Sequence, residues 1–167
     1  MDNSILKKIK LLLMDCDGVL TDGRLYFSER GEELKVFNVR DGQGIANWHR
    51  AGFESGIISG RDAEAIIAKR ANELGMRFLK VKSPDKTADF YSIIKEADLK
   101  PAEVAFIGDD VGDIGLMKLV GLPVAVGDAA AAVKACAEYI THLPGGSGAV
   151  REVIDMLLSA RQQSPHN

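Results

Sequence analysis

Two aspartates one residue apart, Asp15 and Asp17, follow the apolar run Leu11-Leu12-Leu13-Met14. Carboxylates at i and i+2 repel unless a cation sits between them or one is protonated. The pair therefore points to metal binding or proton transfer. Gly18 follows and lets the chain turn tightly over whatever binds there. A second acidic group closes another apolar run, Phe106-Ile107-Gly108-Asp109-Asp110, with Asp113 shortly after. Carboxylates this dense require a hard cation, and magnesium is the natural candidate because oxygen ligands and retained waters suit it. In Ile57-Ile58-Ser59-Gly60 a hydroxyl and a glycine end an apolar run just before a helical pattern. Backbone N–H groups and the hydroxyl there would face an oxyanion, aided by the helix dipole. Lys86, in Ser83-Pro84-Asp85-Lys86, opens another helix-like stretch. Singly, each piece is also compatible with an acidic turn, a plain turn or a solvated lysine.

The elements that must carry these residues alternate. Strands are expected over Lys10–Cys16, Glu54–Ser59, Arg77–Val81, Val104–Gly108, Pro123–Val126 and Tyr139–Thr141. Ala63, Ile66, Ile67, Ala71 and Leu74 recur at helical spacing, with Asp62 placed to cap the start and Gly75 to end it. Phe90, Ile93, Ile94 and Ala97 mark a second helix, and Ala149, Val150, Val153, Ile154, Leu157 and Leu158 a third. Alternation at this pitch predicts an α/β fold, a doubly wound, Rossmann-like parallel sheet with helices on both faces. Such sheets bind ligands at the carboxyl ends of their strands, where the acidic residues fall. One segment, 23–37, breaks the pattern. Gly23–Phe27 and Glu33–Phe37 read as strands joined by a turn containing Gly31. This hairpin should project over the strand ends, and its Leu25, Tyr26, Phe27, Val36 and Phe37 suggest burial against another subunit.

With 167 residues, 46% hydrophobic and 27% charged, the chain reads as one domain over 1–161 with a flexible polar tail, 162–167. A net charge of −3 gives no reason to expect nucleic acid or an anionic membrane as partner. No apolar run approaches the roughly 18 residues of a membrane span. Two cysteines, Cys16 and Cys136, exclude a disulfide framework and fit a cytoplasmic setting. Cys16 reads as core packing.

The order of Asp15-x-Asp17, Ser59-Gly60, Lys86 and Asp109-Asp110-x-x-Asp113 resembles the haloacid dehalogenase-like phosphohydrolases over essentially the whole chain. That resemblance implies Mg²⁺-dependent phosphoryl transfer through an aspartyl-phosphate. Asp15 would be the nucleophile and Asp17 the general acid and base. Asp15, the main-chain carbonyl of Asp17, and Asp109 would hold the metal. Ser59, Gly60 and Lys86 would bind the phosphoryl oxygens, while Asp110 and Asp113 orient metal waters and Lys86. Asp17 can serve as an acid near neutral pH only if its pKa is raised, which crowding by acidic neighbours could do.

About 40 residues separate Asp17 from Ser59, and 26 separate Ser59 from Lys86. Once the hairpin and helices are placed, neither interval has room for a cap domain. Asp17–Gly23, Phe37-Asn38-Val39-Arg40-Asp41-Gly42, Ser59-Gly60-Arg61 and Gly145-Gly146-x-Gly148-Ala149-Val150-Arg151-Glu152 resemble the capless 3-deoxy-D-manno-octulosonate 8-phosphate phosphatases. These are homotetramers of lipopolysaccharide precursor synthesis. An acidic sugar phosphate needs cations beyond the phosphate site, and Arg40, Arg61 and Arg151 are the candidates. The Gly145–Gly148 run reads as a loop closing over the site or as a flexible lead into the last helix. Within it stands Ser147, where that family often carries a basic residue.

Relatives acting on nine-carbon sialic-type sugar phosphates share nearly every motif, but tend to lack an arginine at the position of Arg61. A phosphorylation-dependent receiver domain fits poorly, because Lys86 precedes the second acidic cluster. A phosphomutase would usually bring a cap. A non-catalytic regulatory module of the same fold remains the other reading.

Overall fold

The computed structural model describes residues 2–162, with the backbone alone at 32 and 33. Helix α1 (Asn3–Lys8) leads into β1 (Leu11–Met14), whose four side chains are fully buried. The hairpin strands β2 (Tyr26–Ser28) and β3 (Gly31–Leu34) follow. Then come α2 (Val39–Arg50), β4 (Glu54–Ile58), α3 (Glu64–Glu73), β5 (Phe78–Lys80) and α4 (Lys86–Ala97). The chain ends with β6 (Val104–Gly108), α5 (Ile114–Met117), β7 (Leu122–Ala125), α6 (Ala131–Lys134), β8 (Tyr139–Ile140) and α7 (Ala149–Gln162).

The six strands of the main sheet run parallel in the order β5-β4-β1-β6-β7-β8. β1 lies at the centre, in register with β4 through Leu13↔Gly56 and with β6 through Leu13↔Phe106. The chain first winds outward from β1 through β4 to β5. It then returns beside β1 and winds the other way from β6. The strand order thus reverses between β1 and β6, where a crevice opens at the carboxyl ends. Asp15 and Asp109 are the residues immediately after these two strands.

Helices cover both faces. α1, α2 and α7 pack together on one, and α4 packs against α5 on the other. Trp48 of α2 and Phe90 of α4 are among the largest fully buried side chains. Trp48 Nε1 donates to the Glu54 carbonyl at 2.8 Å, so its one polar atom is satisfied. Among the described residues, no helix is long and apolar enough to cross a membrane. Cys16 is fully buried in the core.

Four local expectations change. The hairpin turn is Glu29-Arg30 between the paired residues Ser28 and Gly31, so the strands sit nearer the tip than the apolar residues suggest. Gly31 follows the turn at φ +108°, a conformation that favours glycine and sets the register. Asp62 does not cap α3, whose N-cap is Ala63; instead Asp62 pairs with Lys82 at 2.9 Å. Phe37 packs against its own chain's core, with the Arg70 guanidinium 5.5 Å from its ring. Gln162 still belongs to α7, and the rest of the expected tail lies outside the described residues.

Candidate active site

Asp15 leaves β1 with its N–H donating to the Ile107 carbonyl at 3.0 Å, which extends the β1–β6 pairing by one step. Its Oδ1 accepts the Cys16 N–H at 2.7 Å and its Oδ2 lies 2.9 Å from Lys86 Nζ. Burial lifts the Asp15 carboxyl to about 6, Lys86 holding it down and Asp113 pushing it up. Lys86 opens α4, a helix capped by Asp85 through the N–H groups of Thr87 and Ala88. Burial works against the Lys86 charge, but Asp15 and Asp113 outweigh it and leave its pKa raised.

Asp113 is buried and committed on both oxygens. Oδ1 accepts from Lys86 at 2.7 Å, and Oδ2 accepts the Asp109 N–H at 3.0 Å. Asp113 therefore orients Lys86 and the loop after β6. Asp110 caps the short turn Val111–Asp113, its Oδ1 accepting the Val111 N–H at 2.7 Å. Asp109 differs from both. Its Oδ1 is buried without a hydrogen-bond partner. Burial, and then the charge of Asp15, raise its pKa to about 7. Carboxylate oxygens of Asp15, Asp109 and Asp113 lie within 4.8 Å of one another. An orphaned buried oxygen inside a cluster of carboxylates fits a hard cation. Asp15 and Asp109 line the cleft and Asp113 does not, so Asp15 and Asp109 are the side chains placed to ligate it.

The side chain of Asp17 lies outside that cluster. Its Oδ1 accepts from Lys35 Nζ at 2.5 Å, and its Oδ2 is 3.5 Å from Arg61 Nε. The acidic crowding expected around Asp17 falls on Asp15 and Asp109 instead. Ser59 immediately follows β4, and its Oγ accepts the Arg61 N–H at 3.4 Å. Residues 60–63 separate it from α3, so the helix N-terminus is not directly behind the Ser59-Gly60 amides.

These groups line one cleft of about 350 Å³: Asp15, Asp17, Ser59, Gly60, Arg61, Lys86, Asp109 and Asp110, with Gly23, Leu25 and Gly112. Two predicted residues stand elsewhere. Arg40 is exposed in the first turn of α2 and does not line the cleft. The Arg151 Nε is tied to both carboxylate oxygens of Asp155 at 2.8 Å, also away from it.

Behind the cleft, Gly18 turns at φ +82°, and a Cβ there would lie 2.0 Å from Asp109 Oδ2. A Cβ on Gly145 would lie 1.8 Å from the Gly18 carbonyl oxygen, and the Gly146 N–H donates to the Val19 carbonyl at 2.9 Å. The glycine run is thus neither a lid nor a flexible lead. It is a brace packed against the acidic loop. Asp41 of α2 holds that brace by accepting the Arg151 N–H at 2.9 Å at the start of α7, while Asn38 Nδ2 donates to the Gly146 carbonyl at 3.1 Å. Sequence reasoning missed the roles of Lys35, Asp41 and Leu25. The signals available were a lone lysine in an apolar strand pattern and an aspartate within the Phe37–Gly42 motif.

Residues 79–154 match the family model of the haloacid dehalogenase-like hydrolases. Across 155 residues the chain is 44% identical to the 3-deoxy-D-manno-octulosonate 8-phosphate phosphatase KdsC of Salmonella typhi, covering 93% of this chain and 82% of that protein. The chain belongs to the haloacid dehalogenase-like hydrolases. Solved structures share this hydrolase's fold, two phosphatases among them. The 3-deoxy-D-manno-octulosonate 8-phosphate phosphatase of Yersinia pestis superposes with a TM-score of 0.92 at 42% identity, covering 96% of this chain and 86% of that one. The Moraxella catarrhalis phosphatase of the same name, in complex with magnesium ion, phosphate ion and KDO, gives 0.91 at 35% identity, covering 95% and 90%.

Proposed function

We propose that this hydrolase, acting as one domain over residues 1–161, removes phosphate from 3-deoxy-D-manno-octulosonate 8-phosphate in lipopolysaccharide precursor synthesis in the cytoplasm. The observation that carries the reading is the setting of Asp15. It stands in one cleft between a lysine and an aspartate with an orphaned oxygen, opposite a second aspartate that has its own cations. The substrate assignment is supported by relatives of that name over nearly the whole chain.

A magnesium ion held by Asp15, the Asp17 main-chain carbonyl and Asp109 supplies positive charge that screens the phosphoryl oxygens from the attacking carboxylate. Ser59, the Gly60 amide and Lys86 hold the same oxygens. The Asp15 carboxylate attacks phosphorus in line and the ester P–O bond breaks. The departing sugar oxygen takes a proton from Asp17. Asp17 then takes a proton from a water that attacks the aspartyl-phosphate, releasing inorganic phosphate and restoring Asp15. Asp110 and Asp113 keep the metal waters and Lys86 in place. Arg61, at the cleft, is the cation for the sugar's carboxylate. Arg40 and Arg151 stand outside this cleft, so a role for them in substrate binding requires a neighbouring subunit.

The hairpin supports a homotetramer. Leu25, Tyr26, Phe27, Leu34 and Val36 are between 37% and 64% exposed on the isolated chain. Packing the hairpin against a neighbour would bury them and close the cleft beside Leu25. The test is Mg²⁺-dependent phosphate release from the eight-carbon and nine-carbon 2-keto sugar acid phosphates, side by side. Preference for the eight-carbon acid is expected. Preference for the nine-carbon acid moves the substrate, and no turnover of any ester by folded, Mg²⁺-loaded protein overturns the reading.

A further inference from the structure

Lys35 immediately follows β3, and its side chain is only 1% exposed. Burying a lysine is costly unless it is paired, and an ion pair hidden from water often stabilises no more than apolar packing would. Stability alone is therefore a weak reason for this residue. Its partner is the more informative half of the pair. Lys35 Nζ holds Asp17 Oδ1 at 2.5 Å, while Asp17 Oδ2 makes no hydrogen bond and lies 3.5 Å from the Arg61 Nε, both residues lining the cleft.

The two oxygens of one carboxylate are thus divided, one hydrogen-bonded to Lys35 and the other without a hydrogen bond, facing only the guanidinium of Arg61. We propose that Lys35 is a positioning residue for the leaving-group step: it fixes Oδ1 so that Oδ2 is the atom that meets the ester oxygen. This rests on the reading of Asp17 as the general acid. A carboxylate on a loop can rotate about its side-chain bonds, and general acid transfer needs the acid within hydrogen-bond reach of the departing oxygen. A displacement of about 1 Å in such a group can cost about 100-fold in rate.

Lys35 also ties the hairpin to the chemistry. One flank of the hairpin places Leu25 in the cleft and the other places Lys35 on Asp17. Contacts at the hairpin can therefore reach the acid through two residues of chain.

The test uses Mg²⁺-loaded enzyme under single-turnover conditions, with two esters. 3-deoxy-D-manno-octulosonate 8-phosphate has an alkoxide leaving group that needs a proton, whereas p-nitrophenyl phosphate releases a phenolate that does not. Lys35→Met should slow cleavage of the sugar ester by at least about 30-fold and release of p-nitrophenolate by less than about 3-fold. Lys35→Arg should recover most of the loss. Equal slowing of both esters by a variant whose circular-dichroism spectrum and Tm match wild type, or slowing of neither, overturns the proposal, and should Lys35→Met misfold the same comparison is read on Lys35→Gln. Asp17→Asn is run alongside. If it discriminates between the esters while Lys35→Met does not, only the role of Lys35 falls. If Asp17→Asn treats both alike, the assignment of Asp17 falls and the proposal with it.

Discussion

Replacing Asp109 by asparagine should make the metal-free protein more stable while abolishing its activity. The wild-type carboxyl titrates at about 7 against 3.8 for the free group, because it is buried and faces Asp15 and Asp113. A carboxylate with a raised folded-state pKa contributes stability that is fully present below the unfolded value. That contribution is lost as pH climbs through the folded one. For Asp109 the window runs from about pH 4 to about pH 7. At about 1.36 kcal/mol per unit the nominal cost is about 4 kcal/mol, and screening by water on the open side of the cleft reduces this to about 2 kcal/mol. For a chain of this size that corresponds to a rise in Tm of about 4–8 °C. The assay is thermal melting in EDTA at pH 4.5 and pH 8. Asp109→Asn should exceed wild type at pH 8 by that amount and match it closely at pH 4.5. Saturating Mg²⁺ should reverse the order, since only wild type binds it tightly. If the two proteins melt together at pH 8 in EDTA, the argument that Asp109 is strained without a cation is wrong.

Asp15→Asn should lose essentially all turnover with Tm held near the wild-type value; residual activity above about 1% would remove Asp15 as the nucleophile. Asp41→Ala should lower Tm by about 4–8 °C through loss of the cap on α7, and Asp41→Asn by less than half as much; equal effects would show that the acceptor oxygen is irrelevant. Phe27→Asp places a charge on the exposed hairpin and should yield monomers in light scattering, and an unchanged assembly would detach the hairpin from the interface. Inorganic phosphate should bind at least about tenfold more weakly by calorimetry when Mg²⁺ is removed, and equal affinity would contradict the charge argument below.

Legibility in the sequence followed the range of the interaction. Val104–Gly108 is a strand with the very bounds its apolar run suggests; β1 is shorter than Lys10–Cys16 by one residue at its start and two at its end, and β4 shorter than Glu54–Ser59 by one at its end. Their ends are local events, where a buried run meets acid, hydroxyl or glycine. The identities of Asp15, Ser59 and Asp109 as cleft residues follow from those ends plus a parallel sheet, whereas Lys86, at the start of a helix, was legible only through the order of the motifs. What stayed hidden was tertiary. Lys35 reaches a partner 18 positions back, and Asp41 one 110 positions ahead. Neither distance leaves a periodicity to read. The glycine run misled for a related reason. Its composition signals freedom, but at Gly145 glycine is needed because the Gly18 carbonyl occupies the space of a side chain. In the hairpin, alternation of apolar residues left the turn open, and only the positive φ of Gly31 decides it.

The charges of the cleft explain why the metal should come first. Asp15, Asp17, Asp109 and Asp110 line it and Asp113 stands directly behind. Against these five carboxylates, the described residues set three cations: Lys86, Arg61 and Lys35. The balance is two negative charges, and neighbouring carboxylates add to the burial that raises Asp15 and Asp109. A phosphate dianion approaching such a cleft is repelled, and the low dielectric of its walls strengthens the repulsion. One divalent cation cancels the excess and leaves Lys86 and Arg61 as attractive centres. It also restores Asp15 to the ionised form that a nucleophile needs, since a cation beside a carboxylate favours its charged state. Substrate affinity and nucleophile ionisation therefore depend on the same ion, and an anionic substrate should bind productively only after it.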